Sequence, residues 1–148
     1  MAGFTNLAET DFLDLFCTNV SFPNVGDATG LVKSTADGSF DVALHTADTI
    51  ADTSTVMTEV EASYTTYARD TIARTTSGWT VTGDTASNDA LMQFGEMTAG
   101  GPVTVTDVSM GFATASVMQV WGQVTIDLVI NNGVNPQLAI NALDLTSD

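Results

Sequence analysis

The sequence predicts a mainly β protein, an antiparallel β-sandwich or jelly roll with one short N-terminal helix. Three observations predict it. The acids are mostly Asp, Thr is abundant and Lys is nearly absent, a composition that suits turns and strand surfaces better than helix surfaces. Beyond the first twenty residues, apolar side chains recur with a period of two. Turn signals divide those runs into about seven or eight short strands at regular spacing.

The helix comes first. Phe4, Ala8, Phe12, Leu15 and Phe16 recur at three- and four-residue spacing and share one face. Thr5 or Asn6 can cap it, and Glu9 and Asp11 sit where the helix dipole favours acids. Cys17-Thr18-Asn19 breaks the pattern. Three phenylalanines are a large apolar load for so short a helix. That load suits either packing on the chain's own core or docking on a partner. The expected organisation is therefore a docking arm at 1–20 and a single β-sandwich domain at 21–148.

Residues 22–27 read as loop. Ala36-Asp37-Gly38 is a turn signal before a strand at 39–46, in which Phe40, Val42 and Leu44 alternate with Asp41, Ala43 and His45. The polar stretch 47–58 reads as loop or a short helical turn. A longer strand is expected at 63–75, turned by Ser77-Gly78 into 79–82. Gly83-Asp84 turns the chain again into a strand at 87–94, and Gly100-Gly101-Pro102 precedes one at 103–112. The clearest strand is 117–128. Alternation there puts Met118, Val120, Val124, Ile126 and Leu128 on one face and Trp121, with Gln119, Gln123, Thr125 and Asp127, on the other. Gly122 is expected to mark a bulge in it. Asn132-Gly133 is a tight-turn signal, and 137–145 is expected to close the chain as a last strand.

At 148 residues the chain fits one ordinary domain and needs no staple to bury a core. Its net charge of -15 excludes binding nucleic acid by phosphate neutralisation, since Lys33, Arg69 and Arg74 are the only basic side chains. The same charge argues against anionic lipid. No apolar run approaches the length of a membrane span, and the first residues lack the basic region of a secretory signal.

Little in the chain resembles reaction chemistry. His45 is the only histidine and falls within a strand, where a hydrogen-bonded structural role is expected. Cys17 is the only cysteine, which excludes an internal disulfide; it reads as an inert buried thiol. Carboxylate pairs at Asp48/Asp52, Glu59/Glu61 and Asp84/Asp89 are expected by chance among 18 acids, and none follows a calcium-loop pattern. No phosphate-binding glycine loop, nucleophile elbow or zinc-binding His pair is present. The sequence thus predicts no catalytic residue, no cofactor and no metal. Arg69 and Arg74 are each expected to find a carboxylate, either both inside the chain or one inside it and one across to a neighbouring subunit. Trp79 and Trp121 are expected in the core, with a sugar platform as the alternative.

Several segments taken together resemble a family of small tailed-phage virion proteins: Val42-Ala43-Leu44-His45-Thr46-Ala47-Asp48, Tyr64-Thr65-Thr66-Tyr67-Ala68-Arg69, Ala73-Arg74, Gly78-Trp79-Thr80-Val81, Gly100-Gly101 before Val103-Thr104-Val105-Thr106, and Asn132-Gly133 with Val134-Asn135-Pro136. The resemblance runs over roughly residues 5–145. It implies a structural, non-enzymatic role. The leading expectation is a capsid cement or decoration protein on the outside of the virion, made in the host cytoplasm. It would bind the major capsid protein and itself, as a homotrimer, without nucleic acid or membrane. The alternative is a tail or tail-fibre component that meets a receptor or glycan. Phe4, Phe12, Phe16 and Arg69 are the expected partner contacts.

Overall fold

The computed structural model describes residues 4–23, 25–112 and 117–147. Residues 1–3 of the expected arm, Asn24 of the expected loop and the terminal Asp148 lie outside them. The fold is mainly β. One helix, α1 (Asn6–Cys17), precedes β1 (Ser39–His45), β2 (Asp70–Ala73), β3 (Trp79–Thr82), β4 (Thr85–Asn88), β5 (Met92–Gln93), β6 (Val103–Phe112), β7 (Val117–Ile130), β8 (Gln137–Leu138) and β9 (Asp144–Thr146). The chain forms two compact units: residues 1–38, 72–91 and 138–148 make the first, and residues 39–71 and 92–137 the second.

In the first unit, α1 packs on β3 and β4 of a sheet ordered β3-β4-β9. Thr5 caps the helix, its side chain accepting from Ala8 N–H at 3.4 Å, and Glu9 sits in the first turn. Leu13 and Cys17 are the buried residues of the helix, and Thr10 donates its hydroxyl to Gly83 O at 2.6 Å. Gly83-Asp84 forms the expected tight turn: Thr82 opposes Thr85, and Gly83 has φ +64°, the conformation glycine supplies at the first position of a two-residue hairpin. Asn88 is fully buried and joins β4 to the last segment of the chain. Its side chain donates to Ala90 O and Ala139 O and accepts from Ala142 N–H and Leu143 N–H.

The second unit is built on the antiparallel ladders of β1 with β6 and of β6 with β7, which is the last strand of its sheet. Central strand β6 is buried on both faces from Asp107 to Gly111. One face carries Phe40, Val42 and Leu44. The other carries Asp41, Ala43 and His45, and it too is covered: Ile50 and Met57 pack on Ala43, with Met118 and Trp121 beside them. The segment 47–62 therefore acts as a second layer, held by Thr46 N–H to Val60 O and Ala62 N–H to Leu44 O.

Three expectations change. The strand expected over 63–75 is restricted to β2, because Tyr64–Ala68 turn instead: the Tyr64 hydroxyl donates to Phe94 O and Gly95 O, and Thr66 has φ +78°. The strands expected at 87–94 and 137–145 are each split into two short pieces. The simple alternation of β7 also fails. Gly111 opposes Met118 while Met110 opposes Val120, so Gln119 is an extra residue. Met118 and Trp121, expected on opposite faces, therefore meet in one cluster. Further along, Val105 opposes Leu128 and Asp107 opposes Gln123, so the four residues Val124–Asp127 stand against Thr106 alone.

Candidate functional site

One exposed apolar patch of the first unit lies on α1 and just before its cap. Leu13 and Cys17 take the packed side, leaving Phe4 75% and Phe12 49% exposed, with Leu7 exposed as well. Phe12 stacks on Phe16, ring centroids 6.0 Å apart and planes 9° from parallel; Phe16 is half-buried. A groove of about 310 Å³ is lined by Phe4, Ala8, Glu9, Phe12, Phe22, Thr146 and Ser147. Two of the expected contacts, Phe4 and Phe12, thus line one groove.

The end of this helix is fixed by Arg74, which is buried. Its Nε donates to Phe16 O at 2.8 Å and Nη2 to Leu15 O at 2.9 Å, both last-turn carbonyls; Nη1 reaches Asp37 O at 3.2 Å. A cation there satisfies orphan carbonyls and meets the negative end of the helix dipole. Cys17 lies beside it, and burial pushes its thiol up to about 12, so almost no thiolate forms near neutral pH.

The polar residues of the second unit form an enclosed cluster. Arg69 Nε and Nη2 grip Glu61 at 2.7 and 2.8 Å in a two-pronged pair, and Nη1 lies 3.8 Å from Asp41. That Glu61 bond comes first among the causes that raise the Arg69 pKa. Tyr67 donates to Glu61 at 3.0 Å and accepts from Leu44 N–H at 3.1 Å; burial pushes its phenol well above the usual range. Arg69, expected at a partner contact, is thus engaged inside its own unit.

His45 is fully buried. Its Nδ1 lies 2.7 Å from Glu59 O and its Nε2 2.7 Å from Ser109 Oγ. A carbonyl only accepts, so Nδ1 carries the proton and Nε2 accepts from the Ser109 hydroxyl. Burial, the largest cause, lowers the His45 pKa, against the pull of the Glu59 carbonyl, Glu61 and Asp107. The serine–histidine contact has the form of an activated nucleophile, but both side chains are sealed in the core. It serves as a polar link between β1 and β6. Sequence reasoning placed His45 correctly and missed Ser109 and Asp107. Their alternation along β6 was visible, but the register that sets Asp107 opposite His45 was not.

The remaining carboxylates hold polar neighbours. Asp48 accepts from Gln123, Asp84 from Thr85 and Asp89 from Thr80. Among the described residues, no three His, Cys, Asp or Glu side chains group as a metal site, and no helix is long and apolar enough to cross a membrane. Trp79 is buried and Trp121 half-buried against the Met57 cluster.

A family model described as podophage GP4 fiber I protein gp80 matches residues 3–146. The chain belongs to that family. Membership in the gp80 fiber family places it among the small structural proteins of tailed-phage virions. No curated protein matches the chain.

Proposed function

We propose that the chain is a structural subunit of a podophage fiber, fixed in the particle through the exposed apolar face of α1. The observation that carries this reading is Phe12 lying open on a helix whose packed side is already formed by Leu13 and Cys17, with Phe4 open beside it just before the cap. Burying a phenylalanine side chain is worth about 1.5–3 kcal/mol, so a partner that covers both rings gains several kcal/mol. The helix also carries Glu9, Asp11 and Asp14 and no basic residue, so a partner offering apolar side chains flanked by Lys or Arg fits it best.

Two experiments test the reading. Cryo-EM of intact particles locates the chain: density along fibers supports it, whereas density on the shell returns the chain to the capsid-decoration role, with the major capsid protein as partner. A Phe4→Asp/Phe12→Asp chain, supplied in place of the wild type, should keep its circular dichroism and lose about tenfold or more of its incorporation into particles. Full incorporation would exclude α1 as the docking face.

A further inference from the structure

We propose that the folded chain takes its missing positive charge from dissolved salt: its surface is built for a saline medium, and its fold weakens when salt is withdrawn. This proposal stands apart from the α1 docking site and from the location of the chain in the particle.

The chain has 18 acids and 3 bases, and the structure leaves little of that positive charge at the surface. Arg69 is enclosed with Glu61 and Asp41. Arg74 is buried, and three of its hydrogen bonds go to backbone carbonyls. Of the three bases, Lys33 alone is exposed. Exposed acids are held instead by groups that carry no charge. Asp27 accepts from the Thr29 hydroxyl and N–H, Asp84 from Thr85, Asp144 from Ser87 and Asp48 from Gln123. Half-buried Asp70 accepts from the N–H groups of Thr71 and Gln93.

Donors of this kind fix a carboxylate and favour its ionised form. At Asp27 the Thr29 hydroxyl first, and the Thr29 N–H second, hold the carboxyl below its usual range. They do not cancel its charge. Each unit therefore presents ionised acids with uncharged partners, and self-repulsion of that kind weakens a compact state. What relieves it comes from outside the chain. Among the described residues no three His, Cys, Asp or Glu side chains group as a metal site. The scattered carboxylates thus offer small cations many single contacts rather than one cage. A diffuse ion atmosphere suits that arrangement, since it shortens the reach of every charge, from about 30 Å at 0.01 M salt to about 3 Å at 1 M.

The test is thermal unfolding of the full chain in sodium chloride from about 0.01 to about 1 M. The melting temperature should rise throughout, by about 5 °C or more. Potassium chloride should act alike, because a diffuse atmosphere selects by charge and not by ion size. An Asp27→Asn/Asp48→Asn/Asp84→Asn/Asp144→Asn chain keeps an acceptor oxygen at each position and removes the charge. It should melt higher than the wild type at low salt and match it at high salt. Self-repulsion grows with the square of net charge, so lowering -15 to about -11 should cut the rise by about half. A wild type whose melting temperature ignores salt overturns the proposal. So does an undiminished rise in the fourfold variant, which would assign the effect to apolar burial strengthened by salt. A response to sodium or potassium alone would reveal a fixed ion site and overturn it as well.

Discussion

The two units each hold one buried or half-buried arginine, and they use it differently. In the first unit Arg74 is held by the carbonyls of Leu15, Phe16 and Asp37 and closes the end of α1. In the second, Arg69 is held by the carboxylates of Glu61 and Asp41 and locks β1 to the segment that covers it. In so acidic a chain an arginine is expected to grip a carboxylate, yet three of the Arg74 hydrogen bonds go to backbone oxygens. A helix end needs donors more than it needs charge neutralisation, and five fixed N–H groups supply them.

Substitutions can break this contrast. Arg69→Met should have the largest effect: it leaves Glu61 and Asp41 facing each other in a mostly buried site and should cost about 3 kcal/mol, read by denaturant unfolding. Glu61→Gln in the same chain should recover part of that loss, because it removes the stranded charge. Arg74→Met should cost less, about 2 kcal/mol, from three hydrogen bonds to carbonyls. Amide exchange should show its loss of protection greatest in the last turn of α1. Equal losses for the two arginines, or an Arg69→Met chain that Glu61→Gln fails to rescue, would refute the contrast.

The smallest effect is a pH dependence, and it has opposite signs in the two units. The folded pKa of His45 is depressed, so the unfolded chain takes up a proton first as pH falls through about 6.5. The His45 contribution to stability is present above that pH and is lost below it. Asp14 behaves oppositely: burial raises its folded pKa, so its contribution is lost as pH rises through the carboxylate range. Between pH 7.5 and 5.5, amide protection in β1 and β6 should fall, and that fall should vanish in His45→Gln. An unchanged slope in His45→Gln would assign the acid sensitivity elsewhere.

Much of this architecture was legible in the sequence because it follows from local chemistry. The helix, its cap at Thr5, the strands near 39–46 and 103–112, and the turn at Gly83-Asp84 depend on residues close in the chain. What stayed hidden depends on pairing. No local pattern reveals that Gln119 is an extra residue, and only the register of β6 with β7 shows that Met118 and Trp121 share a face. The candidate surfaces divide in the same way. The apolar load of Phe4, Phe12 and Phe16 was visible, but that Arg69 faces Glu61 across a covered sheet was not. The place of β7 at the end of its sheet depends on strand order, which alternation does not encode.

The interior of a strand is ordinarily where chain length is least free, since one lost residue displaces every partner beyond it. β7 is an exception at Val124–Asp127, where four residues cover a distance that Thr106 covers alone. Deletions here can shorten the chain without moving Gln123 or Leu128 from their partners. Evolution therefore has a reservoir of spare length in the middle of this strand, and insertions and deletions among related fiber chains should collect there.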